Sequence, residues 1–171
     1  MPPHGPARPL TIPPAAKARF EAALDLDLAT VRLFRGPLRE RTGALGVSCG
    51  DTVVLDERHA RLESMDDLAI LGHELVHVVQ ARRSRGAHHG CSVADGRAES
   101  EADELGLAAA EGRRVAERIS PLRAEGAVYR EIEPRLRELL LGAGACPGAH
   151  PVLLKAPHRL IGLPPSKDGI A

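Results

Sequence analysis

The residues with the clearest capacity for chemistry lie in "LGHELVHVVQ", residues 71–80. His73 and His77 are four positions apart, so on a helix they share one face with their Cβ atoms about 5–6 Å apart. Two imidazoles placed in this way can both reach one zinc ion, at about 2.0–2.1 Å each. Glu74 would lie beside the metal and could activate a zinc-bound water without binding zinc itself. The H-E-x-x-H pattern therefore predicts a hydrolytic zinc site.

A zinc ion held by two histidines needs a third protein ligand and an open position for water. The segment "AESEADELG" offers Glu99 and Asp103, four positions apart on the next predicted helix. Alone, such a pair is typical of a solvated face, but with the upstream motif we predict Glu99 as the third ligand. We predict Asp103 as the acceptor for the N–H of one zinc-binding histidine. A helix turns about 100° per residue, so Glu101 and Glu104 should point away from the ion, with Glu101 facing solvent.

The helix that would carry the motif has a recognisable start and an apolar environment. "SMDD", residues 64–67, resembles a capping box with Ser64 as N-cap and Asp67 in place of the usual glutamate, and the predicted helix runs to about Arg83. Apolar residues flank the motif, namely Ile70, Leu71, Leu75, Val78 and Val79. We therefore expect a buried helix, in which two histidines and a glutamate would be costly without a partner such as a metal ion.

Other segments predict an α+β fold around this helix. Residues 14–28 have apolar positions at helical spacing, whereas residues 30–35 alternate apolar and polar side chains as a half-buried strand does. Residues 46–56 predict a hairpin with a Gly-Asp pair in its tight turn. Residues 96–118 predict the second long helix.

The chain divides into four parts on composition and pattern. Residues 1–13 are Pro-rich and predict a flexible arm, and residues 14–119 form the predicted core domain. Residues 120–142 predict a helical extension that ends at Gly142. Residues 143–171 are rich in Gly and Pro and predict an irregular tail.

Composition excludes several classes of protein. The 171 residues suit one domain with tails, and the 23 basic and 23 acidic side chains cancel. A nucleic-acid binder or a polybasic membrane anchor would carry a basic excess. Three cysteines without a C-x-x-C pair argue against a disulfide framework and against a cysteine-rich zinc site. No apolar run suits a signal peptide or a membrane span, so we expect a cytoplasmic protein, or one exported without a cleaved signal.

The order of these motifs resembles the eCIS core domain, a gluzincin-like zinc metallopeptidase domain found with extracellular contractile injection systems and polymorphic toxins. The matching stretches are "DLATVRLFRGP" at 27–37, "ALGVSCGDTVVL" at 44–55, "ILGHELVHVVQ" at 70–80 and "ESEAD" at 99–103. The resemblance covers about residues 14–112, with Gly72 standing where Ala is usual. It implies a small α+β fold with an edge hairpin packed on the H-E-x-x-H helix, a zinc ion, and injection-system or toxin components as partners.

The resemblance also implies an activity, the hydrolysis of peptide bonds in a peptide or protein substrate with Glu74 as proton acceptor. An extended substrate is expected to add as a strand to an unpaired edge of the second hairpin arm, Thr52–Asp56. Gluzincins use a Tyr or His to stabilise the oxyanion. Tyr129 is the single tyrosine and lies outside the matched stretch, so no residue is assigned to that role. The alternative is a non-catalytic structural or cargo component that keeps the zinc-site-like fold.

Two other patterns have simpler interpretations. "GVSCG", residues 46–50, matches G-x-S-x-G, but a nucleophilic Ser48 would need a strand, a sharp turn and then a helix, and a Val- and Thr-rich strand follows instead. Cys49 has no identifiable base. His88 and His89 lie in the polar loop between the two site helices and are interpreted as solvated.

Overall fold

The computed structural model describes residues 6–84, 96–122, 134–144 and 152–155. Within these ranges the strands are β1 Arg8–Pro9, β2 Arg32–Gly36, β3 Gly46–Cys49, β4 Thr52–Asp56 and β5 Val152–Lys155. The helices are α1 Pro14–Leu24, α2 Leu38–Thr42, α3 Met65–Arg83, α4 Gly96–Ala110 and α5 Pro134–Gly142. Short 3-10 turns occur at Leu28–Thr30 and Ala116–Arg118. The predicted α+β class is confirmed.

The described strands form one sheet in the order β1-β2-β4-β3-β5. Strand β2 pairs in parallel with β4, and the other neighbours pair antiparallel. The expectation of an edge hairpin with an unpaired Thr52–Asp56 arm is therefore wrong, because β4 is paired on both sides. The chain passes from β2 through α2 to β3 and then returns as β4, which lies between β2 and β3. This crossover makes the Thr52–Asp56 arm an inner strand of the sheet.

The two faces of the sheet pack against different helices. Alternation places Val53 and Leu55 in the larger core with α1, α3 and α4, whereas Val47 and Val54 lie in a smaller core with α5. The larger core is built from Leu, Val, Ile and Ala, with Phe20 as the one aromatic side chain among its described residues. Helix α3 thus runs directly under the hairpin.

Helix α3 begins where the sequence predicts. The Ser64 hydroxyl accepts from the Asp67 backbone N–H at 3.1 Å, and the Asp67 carboxylate accepts from the Ser64 N–H at 3.4 Å. This capping box satisfies donors that the first turn of a helix leaves without partners. Among the described residues, no helix is both long enough and apolar enough to cross a membrane.

Both ends of the chain contribute more structure than predicted. Within the predicted arm, Arg8–Pro9 pairs antiparallel with β2, and the predicted tail contributes β5 to the far side of the sheet. The second long helix ends at Ala110, earlier than the predicted residue 118. Helix α5 ends at Gly142, as the sequence indicated. Short strands in Pro- and Gly-rich sequence depend on a partner strand, which local composition does not reveal.

Candidate metal centre

Three side chains from two helices converge beneath the sheet. His73 and His77 on α3 have their Nε2 atoms 3.0 Å apart. Glu99 on α4 places Oε1 3.1 Å from His77 Nε2 and Oε2 3.5 Å from His73 Nε2. Their potential ligand atoms all lie within 4.8 Å of one another. The tertiary fold thus brings together the three residues that were predicted from the sequence as metal ligands.

The spacing of these atoms suits a small cation. A tetrahedral ion with bonds of about 2.0–2.2 Å separates its ligand atoms by about 3.3–3.5 Å. The two Nε2 atoms are 3.0 Å apart, and each faces a different oxygen of Glu99, at 3.1 Å for His77 and 3.5 Å for His73, so two of these separations are slightly shorter than that range. Two imidazoles and one carboxylate are also a donor set that zinc prefers in catalytic sites, where the fourth position stays open.

The other ring nitrogens of both histidines are engaged. His73 Nδ1 lies 2.8 Å from Asp103 Oδ1, and His77 Nδ1 lies 2.7 Å from Gln80 Oε1. Both contacts place an acceptor at Nδ1, so each ring carries its proton there and presents the Nε2 lone pair to the centre. Lone pairs then converge with the carboxylate of Glu99, an arrangement that a bound cation stabilises.

Burial and neighbouring charge favour the metal-binding protonation states. Burial lowers the pKa of His77 below its ordinary value of 6.5, and the nearby His73 lowers it further, against the opposing effects of Glu99 and Gln80. Burial alone would raise the pKa of Glu99, but its contacts with His73 and His77 outweigh that effect and hold the pKa far below its ordinary range. A neutral imidazole and an ionised carboxylate are the forms that bind metal.

Glu101 is not solvent-facing, which corrects the sequence-based expectation. Its Oε2 accepts from Gln80 Nε2 at 2.7 Å and from the Ser120 backbone N–H at 3.0 Å. Gln80 Nε2 also donates to the Ala98 carbonyl at 3.3 Å. These contacts fix the orientation of the Gln80 amide, so that its oxygen faces His77. Glu101 therefore supports the site indirectly, through Gln80.

Sequence reasoning missed the part played by Gln80. It lies three positions after His77 on α3 and is 1% exposed. A polar residue at i+3 from a predicted ligand, within an otherwise apolar stretch, is the signal that could have identified it. Together, Asp103 and Gln80 hold the two imidazoles in orientations that share one centre.

Glu74 lies at the contact between α3 and the hairpin and is fully buried. A Cβ built on Gly46 would lie 2.5 Å from Glu74 Oε1 and 2.8 Å from its Cγ. The absence of a side chain at Gly46 therefore makes room for the Glu74 carboxylate under β3. Local sequence does not reveal this dependence, since Gly46 has the setting of an ordinary hairpin residue.

Of the remaining sequence candidates, Ser48 and Cys49 are among the described residues. Ser48 lies in β3 and is followed by a turn and another strand, so it lacks the setting of a nucleophile elbow. Another histidine, His59, contacts Asp67 Oδ1 through Nδ1 at 2.9 Å, next to the capping box of α3. Tyr129 and the pair His88 and His89 lie outside the described residues.

Comparison with known protein families yields a match. The sequence pattern of the eCIS core domain family matches residues 11–85, which includes the hairpin and the whole of α3. Glu99 and Asp103 on α4 lie beyond the matched segment. No curated protein and no solved structure matches the chain. The family match associates the chain with extracellular contractile injection systems.

Proposed function

Because residues 11–85 carry an eCIS core domain, we propose that this chain is a zinc-dependent metallopeptidase acting with a contractile injection system or an associated toxin. His73, His77 and Glu99 would hold the zinc ion, and Glu74 would serve as the general base. The substrate is a peptide or an unfolded segment of a protein. Neither nucleic acid nor membrane is proposed as a partner, since the chain has no excess of basic residues.

One observation carries the proposal, the convergence of two imidazole Nε2 atoms and a carboxylate with both Nδ1 atoms already engaged. A structural ion pair would not need an acceptor at the Nδ1 atom of each histidine. Among the described residues this set has three ligands, one fewer than a closed tetrahedral site needs. An open position is what a hydrolytic site requires.

Each residue has a distinct part in the proposed reaction. Bound zinc supplies Lewis acidity and lowers the pKa of water in the site. Glu74 accepts a proton from the attacking water as the water adds to the peptide carbonyl, and then passes it to the leaving amine. Asp103 and Gln80 keep the two imidazoles in their metal-binding orientation, and Gly46 keeps the space that the Glu74 carboxylate occupies.

Elemental analysis and cleavage assays of the full chain test the proposal together. The purified protein should hold one zinc ion, and His73→Ala or His77→Ala should remove it, because two remaining ligands rarely retain the ion. Glu74→Gln should keep the zinc and lose cleavage of a mixture of unstructured peptides, followed by mass spectrometry of new termini. If Glu74→Gln cleaves as fast as the unaltered chain, the catalytic assignment is wrong.

A second candidate, a non-catalytic component of the injection apparatus, has one observation in its favour. His73, Glu74 and His77 have no exposed surface, as is common for metal centres that only stabilise a fold. In that case, zinc removal would lower the melting temperature, and Glu74→Gln would leave the biological function of the chain intact. The same pair of variants therefore separates the two candidates.

A further inference from the structure

Strand β3 packs against α3, the helix that carries His73 and His77. Gly46 on this strand lies against Glu74, and its neighbour on the outer side is β5. The register pairs Gly46 with Lys155 and Cys49 with Val152, in antiparallel orientation. Strand β5 also packs against α3, the helix that carries His73 and His77. The C-terminal strand therefore runs along the edge that borders the site.

Successive residues of β3 direct their backbone N–H and C=O groups alternately towards β4 and towards β5. The Asp56 N–H donates to the Leu45 carbonyl at 2.9 Å, so position 45 directs its polar groups towards β4. Because this direction alternates along a strand, Gly46 and Ser48 direct their N–H and C=O groups outwards. These outward groups face the backbone of Lys155 and Leu153 in β5.

The site is closed in this arrangement. His73, Glu74 and His77 have no exposed surface, and the Glu99 side chain is 13% exposed. A peptide backbone cannot reach such a centre unless a neighbouring element moves. Strand β5 is only four residues long and lies at the end of the sheet, paired through β3. A strand with one partner is the element that a competing strand can replace most easily.

We infer that β5 occupies a peptide-binding edge of the sheet. The outer side of β3 binds extended peptides in antiparallel orientation, and Val152–Lys155 must leave this edge before another peptide can bind. The consequence of this occupancy would be self-inhibition of hydrolysis, and that part rests on the proposed function. The binding edge itself depends only on the strand pairing. Main-chain hydrogen bonds to Gly46 and Ser48 would supply the affinity.

The register also fixes the direction of the incoming peptide. Because Val152 lies opposite Cys49 and Lys155 lies opposite Gly46, a replacing peptide would run with its C-terminal part towards Glu74. Its backbone would lie about 4.8 Å from that of Gly46, one strand spacing away. An extended segment with free backbone groups fits this edge, whereas a folded helix does not.

A pair of proline variants tests the occupancy. Leu153→Pro removes an N–H that faces Ser48 and should release β5, whereas Leu154→Pro removes an N–H on the open side of β5 and should not. The probe is a fluorescent peptide with the sequence of residues 150–157, and its control has proline at the position of Leu153. A tethered segment has an effective concentration on the order of 1 mM. A probe with a dissociation constant of about 0.1 mM should then bind Leu153→Pro about tenfold more tightly than the unaltered chain or Leu154→Pro.

A disulfide staple provides a test that does not depend on the folding of the proline variant. Cys49 and Val152 are directly opposite each other in a non-hydrogen-bonded pair of the antiparallel strands β3 and β5. In such a pair the Cα atoms lie about 4.5 Å apart, which is within reach of a disulfide. Val152→Cys, in a chain with Cys91→Ser and Cys146→Ser, should lock β5 onto β3 when oxidised. Oxidised protein should lose probe binding, and reduction should restore it. Equal binding by the oxidised and reduced forms would overturn the inference.

Measuring binding and cleavage side by side separates this inference from the proposed function. If Leu153→Pro gains probe binding and the staple blocks it, but no form cleaves peptides, the occupancy stands and the peptidase proposal fails. If Glu74-dependent cleavage is equally fast in the stapled and reduced forms, the peptidase proposal stands and the occupancy is wrong.

Discussion

Gly72 on α3 and Gly106 on α4 bring the two helices into backbone contact beside the metal centre. A Cβ on Gly72 would lie 2.3 Å from the Gly106 carbonyl oxygen, and a Cβ on Gly106 would lie 2.4 Å from the backbone nitrogen of His73. Glu99, Asp103 and Gly106 follow each other at helical spacings of four and three, so they share one face of α4. The glycine contact therefore sets how deeply Glu99 and Asp103 approach the two histidines.

We predict that Gly72→Ala weakens both folding and metal binding. The added methyl group meets backbone and not the end of a flexible side chain, so the helices must move apart, at a cost of about 1–3 kcal/mol in the free energy of unfolding. The same movement withdraws Glu99 from the histidines. Urea unfolding and zinc competition with a chelator measure the two effects. Gly96→Ala is the control: Gly96 lies on α4, the helix that contacts Gly72, but has open space around its Cβ, so this change should affect neither property.

Gly46→Ala should separate activity from metal binding. Its Cβ would collide with the Glu74 side chain, which can swing away, whereas His73 and His77 stay in place. A shift of about 1 Å in a catalytic group can reduce the rate about a hundredfold. We therefore expect zinc content close to that of the unaltered chain with strongly reduced cleavage. The double variant with Glu74→Gln should lose no more activity than Glu74→Gln alone; additive losses would show that Gly46 acts elsewhere.

The acceptors behind the histidines should affect zinc affinity in a graded way. Asp103→Ala and Gln80→Ala each remove the partner of one Nδ1 atom and should weaken zinc binding about 10- to 100-fold. Glu101→Ala should have a smaller effect, because Glu101 acts only through Gln80. Chelator competition measures all three affinities. Glu104→Ala is the control, since Glu104 pairs with Arg118 on the surface, and a loss of affinity there would contradict the assignment.

The metal-free protein should become less stable as the pH falls below about 6.5. The pKa of His77 is lowered in the folded state from 6.5, so the unfolded chain takes up a proton at a higher pH than the folded chain does. Above that pH, His77 is neutral in both the folded and the unfolded chain, so it does not make the free energy of unfolding depend on pH. Urea unfolding of chelator-treated protein across this range measures the effect. His77→Gln should flatten the decline; an unchanged slope would assign it to other groups.

The helix of the candidate metal centre and its potential ligands could be predicted from local sequence, because the spacing of these residues carries the information. His73, Glu74 and His77 follow from H-E-x-x-H, and the capping box at Ser64 marks the start of their helix. Glu99 and Asp103 follow from their spacing on the next helix. The sequence thus determined the chemical types in the site and the helices that present them, since helical periodicity is a property of neighbouring residues.

Tertiary structure decided the features that depend on contacts between distant segments. The position of β4 inside the sheet comes from a crossover, and the strand at Val152–Lys155 comes from pairing with β3. The role of Glu101 depends on Gln80, 21 positions earlier in the chain. The close approach that requires Gly72 depends on Gly106 on another helix. Strand partners and helix crossings are fixed by packing between residues far apart in the chain, and that packing leaves no periodic trace in either segment alone.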